Sequence, residues 1–258
     1  MHAERHGSGE PLLLVHGLGS SLRNWDRIVS ALAERREVIA TDLPGFGRTP
    51  ALTGEVSIAT LTDAVTDFIA TEGLSDVDIV GSSMGARIVV ELARRGHRGT
   101  VVALDPGGFW NDRQKAVFGT SIKASVGLVR ALQPLLPALT GNPVGRTALL
   151  AQFSHKPWKL PAGLVLTELR GFDHSPSLDD ALESLVKEPR QQGAPAGTLR
   201  GKLVLGWGRQ DRVTLPSQAT RALELFPDAT LHWFDSCGHF PHWDQPEETV
   251  ELILSSTA

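Results

Sequence analysis

Ser83, Asp211 and His239 are three residues whose types, order and settings fit one chemistry: attack of an activated hydroxyl on a carbonyl carbon, followed by hydrolysis. The serine lies at the centre of Gly81-Ser82-Ser83-Met84-Gly85, a G-x-S-x-G pattern. Val77-Asp78-Ile79-Val80 before it reads as a short buried strand, with β-branched residues at three positions. After it, Ile88, Val89, Leu92 and Ala93 fall at helical spacing and the pattern stops at Gly96. Between a strand and a helix this pattern predicts a nucleophile elbow. A sharp turn holds the serine in a strained backbone conformation and lifts its hydroxyl clear of the sheet. An ordinary serine-glycine turn reads the same over five residues, so the reading depends on the partners.

A serine hydroxyl needs a base, and the base needs an acid to orient it. Lys202 to Gly208 reads as a buried strand running into a glycine turn, and Asp211 follows at its carboxyl end. Thr230-Leu231-His232-Trp233-Phe234 leads into Asp235-Ser236-Cys237-Gly238-His239, a loosened loop before the last helix. The chain order is thus Ser, Asp, His. Asp105, also just after a strand, is the rival acid, and His242 the rival base. An anion-stabilising site is expected where the apolar strand Pro11–Val15 ends in His16-Gly17-Leu18-Gly19. Its glycines let the backbone approach a carbonyl oxygen, and the expected donors are the N–H groups of Leu18 and Met84.

These residues resemble the α/β-hydrolase family over most of the chain. Besides the elbow, the matching stretches are His16-Gly17-Leu18-Gly19, Asp42-Leu43-Pro44-Gly45-Phe46-Gly47, Trp207-Gly208-Arg209-Gln210-Asp211 and Gly238-His239-Phe240-Pro241. The resemblance implies the fold without choosing a substrate: the family holds esterases, lipases, thioesterases, carbon–carbon bond hydrolases, dehalogenases, epoxide hydrolases, lyases and non-catalytic receptors. Its epoxide hydrolases use tyrosines to protonate the epoxide, and this chain has none. They and the haloalkane dehalogenases use an aspartate nucleophile, where this elbow carries Ser83. The expected activity is therefore cleavage of a carboxylic ester or thioester, with no cofactor. Carbon–carbon bond hydrolysis is the alternative on the same three residues, as is a lyase or cofactor-free peroxidase. Trp243 resembles a tryptophan near the histidine of ring-cleavage-product hydrolases, whereas Ser82 stands where many of those have asparagine. A receptor that keeps the fold without turnover is the alternative from another class.

The elements that must carry these residues alternate as a doubly wound, mostly parallel α/β sheet requires. Strands are expected at Pro11–Val15, Val38–Ala40, Val77–Val80 and Thr100–Leu104, with helix faces at Trp25, Ile28, Val29, Leu32 and at Leu61, Ala64, Val65, Phe68, Ile69. The residues up to Gly9 read as an antiparallel edge hairpin turning at Gly7-Ser8-Gly9. Alternation breaks at Asp105-Pro106-Gly107-Gly108 and resumes at Lys202, and nine of the 16 prolines fall between Pro106 and Pro195. Short broken helices are expected there, near 112–132, 143–153, 162–172 and 177–187, with Gln191–Gly197 as the return linker. In the family such an insert resembles a helical cap over the active site. The expected division is a core of residues 1–106 and 197–258 with a cap of 107–196. His16, Gly17, Trp110, Phe118, Phe153, Trp158 and Phe240 are expected around the substrate, with Phe109 and Phe172 further candidates. Such a lining suits an apolar acyl or ring-bearing small molecule.

Composition agrees. A chain of 258 residues, 41% hydrophobic and 21% charged, can bury a single sizeable core. A net charge of −4 offers no basic field for nucleic acid. The lone Cys237 permits no internal disulfide and reads as a packing residue, and the setting is expected to be cytoplasmic. Met1 to Gly7 contain no apolar stretch, so no signal peptide is expected, and no run is long enough for a membrane span. No histidine pair with a carboxylate has metal-ligand spacing, so no metal is expected.

Overall fold

A computed structural model describes residues 1–257. Seven strands, β1 (Ala3–His6), β2 (Pro11–Val15), β3 (Glu37–Thr41), β4 (Asp78–Ser82), β5 (Val101–Leu104), β6 (Leu203–Gly208) and β7 (Thr230–Phe234), form one sheet. Their order is β1-β3-β2-β4-β5-β6-β7, with every pairing parallel except β1 against β3. Eleven α-helices accompany them among the described residues: α1 (Val29–Ala33), α2 (Ile58–Thr71), α3 (Met84–Arg94), α4 (Asp112–Ala131), α5 (Leu136–Gly141), α6 (Pro143–Leu150), α7 (Ala162–His174), α8 (Leu178–Lys187), α9 (Ser217–Leu225), α10 (Pro241–Asp244) and α11 (Pro246–Ser256).

Strands of a parallel sheet are buried on both faces and so read as continuous apolar runs. In β2, Leu13 and Val15 join the cluster that includes Leu61 and Val65 of α2 and Ile88 and Val89 of α3. Leu12 and Leu14 point to the other side, with Trp25, Leu32 of α1 and Ile253 of α11. This period of two explains why no polar residue interrupts Leu12-Leu13-Leu14-Val15. The strand order reverses between β2 and β4, and open α/β sheets bind their ligands at the carboxyl ends beside such a reversal. The loops after β2 and β4 carry Gly17 and Ser83.

The edge hairpin is corrected by the structure. β1 is an antiparallel edge strand, but its partner is β3, with Arg5 opposite Ile39, and β2 lies on the far side of β3. β3 has an open edge only on the side away from β2, and that edge sets where β1 docks.

Between β5 and β6 the chain forms α4 to α8. Asn111 starts α4 with a reciprocal cap: its side chain accepts from the Gln114 N–H while Gln114 accepts from the Asn111 N–H. α4, α6, α7 and α8 stand within a few residues of the expected ranges, and α5 adds a short helix between the first two of them. The two ends of this insert are tied together, the Gln191 N–H donating to the Gly108 carbonyl at 3.0 Å and its side chain to Glu91 at 3.0 Å. Among the described residues no helix is long and apolar enough to cross a membrane.

Candidate active site

Ser83 sits between β4 and α3 with φ 55° and ψ −112°, in the left-handed region that a residue with a Cβ enters only under strain. The turn survives because the neighbouring positions carry no side chain. A Cβ on Gly85 would collide with the carbonyl oxygens of Val15 and His16, and one on Gly81 with the backbone of Gly85. The Ser83 Oγ lies 2.8 Å from His239 Nε2, and His239 Nδ1 lies 2.8 Å from Asp211 Oδ2. The second contact assigns the ring proton to Nδ1, so that Nε2 is free to accept from the hydroxyl. His239 and Asp211 are buried.

Asp211 is held from its other side as well. Its Oδ1 accepts from the Val213 and Thr214 N–H groups at 2.7 and 3.1 Å, and its Oδ2 from the Thr214 hydroxyl at 2.6 Å. Burial alone would raise this carboxyl, but His239, Asp105 and Thr214 outweigh it and hold Asp211 below the usual carboxylate range. Asp105 goes the other way. Burial, the charge of Asp211 and a hydrogen bond to it push this carboxyl well above its ordinary value. Its Oδ1 accepts from the Gly208 N–H at 2.9 Å, while no protein donor faces Oδ2, a setting that favours the neutral acid over a second carboxylate beside Asp211. The structure therefore puts Asp211, not Asp105, against the histidine. Ligand atoms of Asp105, Asp211 and His239 lie within 4.8 Å of one another, the metal-sized grouping found among the described residues. Its lone pairs are already engaged by Gly208, Val213, Thr214 and each other, which leaves a cation few free donors.

The loop after β2 is oriented by His16. This buried ring accepts the Leu43 N–H at Nε2, 3.0 Å, and therefore donates from Nδ1 to the Gly17 carbonyl at 2.7 Å. Burial lowers its pKa, in keeping with a neutral ring. The Gly17 carbonyl and the Leu18 N–H share one trans peptide, so fixing the oxygen toward His16 aims the N–H the opposite way. Gly17 itself lies against the Ser83 side chain. Met84 is the first residue of α3, where an N–H has no helical partner. His16 was expected in the cavity wall; it is fully buried behind the loop and acts on its geometry instead.

A cavity opens beside Ser83 and His239 between the sheet and the insert, and Gly17, Phe118, Phe153 and Phe240 line it as expected. Two tryptophans do not. Trp110 precedes the α4 cap and turns inward to stack on Phe118, ring centroids 4.7 Å apart, with the Arg87 guanidinium over its ring. Trp158 sits on a single turn at Pro157–Lys159, is 46% exposed and faces a separate surface groove. Phe109 packs on Trp207 and Phe226 in the core. Phe172 does line the cavity.

Three features escape a reading of motifs: Thr214, Asp244 and Glu168. Thr214 braces Asp211, and its spacing of three residues from an aspartate is a turn signal. Asp244 accepts from the Gly238 N–H, the His155 N–H and the Ser154 hydroxyl at 2.8, 2.7 and 2.5 Å. With the His239 N–H donating to the Phe153 carbonyl at 2.8 Å, this fastens the histidine loop to the insert. Glu168, a lone acid on the apolar stripe of α7, lines the cavity, and burial raises its carboxyl to about 7. His242 is buried with Nε2 2.7 Å from Asn24, and burial pushes its pKa down to about 3, so it is a neutral packing group. Cys237 is likewise buried, which pushes its thiol up and keeps it unreactive.

A model of the alpha/beta hydrolase family matches residues 12–252 of this fold. The chain belongs to that family. This α/β hydrolase is similar to the 2-hydroxy-6-oxononadienedioate/2-hydroxy-6-oxononatrienedioate hydrolase 2 of Pseudomonas putida, with 27% identity over 98% of this chain and 90% of that one. Its structure resembles a membrane phospholipase A described as a bacterial virulence factor, with a TM-score of 0.74, 25% identity, and coverage of 98% of this chain and 80% of the other. It also shares the fold of the 2-hydroxy-6-oxo-6-phenylhexa-2,4-dienoate hydrolase of Rhodococcus sp. strain RHA1, with a TM-score of 0.76 and 20% identity over 99% and 93% of the two chains.

Proposed function

We propose that this α/β hydrolase cleaves a carboxylic ester or thioester through Ser83, His239 and Asp211. The observation that carries the reading is the hydrogen-bonded chain from the strained Ser83 hydroxyl through His239 to the buried Asp211 carboxylate. His239 Nε2 takes the hydroxyl proton as Oγ forms a bond to the substrate carbonyl carbon, and the carbonyl π pair moves onto oxygen. The Leu18 and Met84 N–H groups hold that oxyanion, each contributing about 3–4 kcal/mol in the transition state. Collapse expels the alkoxide or thiolate, which receives the proton from His239, and leaves an acyl-Ser83. A water then gives its proton to His239 and attacks the acyl carbon, and the second collapse returns the proton to Ser83 Oγ. Asp211 stays ionised throughout and stabilises the imidazolium. No step needs a cofactor.

Carbon–carbon bond hydrolysis is the second reading, favoured by the name of the Pseudomonas putida relative. That name specifies a dioate, a substrate with two carboxylates. The cavity here includes Glu168 and has no lysine or arginine in its lining, which supports the uncharged ester instead. A panel of p-nitrophenyl and thioesters set against a vinylogous diketone separates the two. Turnover of the diketone with none of any ester overturns the ester reading.

The helical insert in this proposal is a cap that sizes the acyl group. Phe118→Ala and Phe172→Ala are expected to raise KM for octanoate esters about tenfold while changing acetate esters about twofold or less, since an acetyl group fills only the space beside Ser83. Trp158→Ala, away from the cavity, is expected to leave both unchanged. Equal losses on short and long chains in the phenylalanine variants, with unchanged melting temperatures, contradict the sizing role.

A further inference from the structure

One acid stands in the wall of an otherwise apolar cavity. Glu168 lies on α7 three residues from Val165 and four from Phe172, on the stripe that faces inward. It is 8% exposed. Its Oε2 accepts from the Ser20 hydroxyl at 2.7 Å and from the Asn24 side-chain amide at 3.1 Å, both in the segment after β2. Its Oε1 is buried and has no hydrogen-bond partner among the described residues.

A bridge between the insert and the β2 loop does not require this residue to be an acid. Glutamine has the same shape, its oxygen would accept from Ser20 and Asn24 equally well, and a neutral amide is cheaper to bury than a carboxylate. The acid brings one thing an amide lacks: a second strong acceptor. That acceptor has no hydrogen-bond partner among the described residues, and the cavity that Glu168 helps to line contains no lysine or arginine. Burial and the charge of Asp26 raise the carboxyl to about 7 against the pull of Ser20 and Asn24, so above pH 8 it is largely ionised. His242, beyond Asn24, stays neutral, and His239 is the other titratable group in the wall.

We propose that Glu168 is a specificity-determining residue that reads a hydrogen-bond donor, a hydroxyl or an ammonium group, on the bound substrate and rejects a carboxylate there. The inference rests on the assignment of this cavity as the substrate site. The closed, apolar surroundings strengthen both effects, because a charge placed beside a buried carboxylate oxygen is poorly screened.

The test is binding, read without turnover in the Ser83→Ala protein at pH 8.5. Matched primary amides of four to eight carbons, ending in methyl, hydroxyl, ammonium or carboxylate, are titrated calorimetrically. At the best chain length the hydroxyl and ammonium ligands are expected to bind at least about tenfold tighter than the carboxylate ligand. Adding Glu168→Gln is expected to compress that ratio to about threefold or less. Glu168→Met, an apolar chain of similar length, repeats the comparison if the glutamine variant melts early. The proposal is overturned if the four ends bind alike, if none binds, or if the variants weaken all four equally with the ratio kept. A protein that hydrolyses no ester leaves this measurement intact, so failure of the esterase reading and failure of the Glu168 assignment are told apart.

Discussion

Asp211→Asn is expected to lower kcat on p-nitrophenyl butyrate by about 10^4-fold, with the fold unchanged by circular dichroism. Asn presents either an oxygen or an amide to His239 Nδ1, but no charge in either case. The amide face would turn the imidazole to the tautomer whose Nε2 carries the proton and cannot accept from Ser83. The oxygen face leaves the developing imidazolium without a buried counter-ion. Asp105→Asn is expected to cost about tenfold or less, because burial and the charge of Asp211 already favour a neutral group at this position, which an amide of the same shape supplies. Steady-state kinetics of the two variants side by side decide between the acids. A large loss at position 105 with a small one at 211 would show that Asp105 is the charged partner.

Ser83→Ala and His239→Ala are each expected to lower kcat by about 10^6-fold on the same ester. The hydroxyl and the imidazole act in one step, joined at 2.8 Å, so removing either removes the covalent route. The double variant is accordingly expected to be no worse than the singles, the residual rate coming from the Leu18 and Met84 donors and from binding. Additive losses in the double variant would mean that the two residues serve separate steps, and the shared hydrogen bond would lose its mechanistic meaning. Stopped assays with purified variants over long incubations reach this range.

The parts of the site that could be read from the chain are those set by local geometry. An elbow needs Gly81 and Gly85 because of clashes within a few residues and with the adjoining strand, so the pattern itself carries the conformation. Asp211 and His239 follow apolar strands closely enough for their place at the carboxyl edge to be inferred. Non-local choices were not legible. Nothing within Ala3–His6 says that β3 is its partner, because that pairing depends on which sheet edge is open once β2 and β3 have met. Which aromatics line the cavity depends on the phase of α4 and α7. Phe118 and Phe172 point inward along helices, whereas Trp110 precedes a cap and Trp158 sits on an isolated turn. His16 reads as part of the substrate wall, yet it works through the backbone of Leu43, distant in sequence, as Asp244 works through that of His155. A lone buried acid such as Glu168 carries no motif. The signal is its place on an apolar stripe, and its meaning comes from an oxygen with no partner.

The most direct measurement of the central claim is covalent labelling with a fluorophosphonate, followed by proteolysis and mass spectrometry. A hydroxyl activated by His239 attacks phosphorus and displaces fluoride whatever the natural substrate of the protein is. A single stoichiometric adduct on the peptide carrying Ser83 is expected, absent in Ser83→Ala and formed far more slowly in His239→Ala. An adduct on a different serine, or ester turnover that persists in a protein whose Ser83 takes no label, would contradict it.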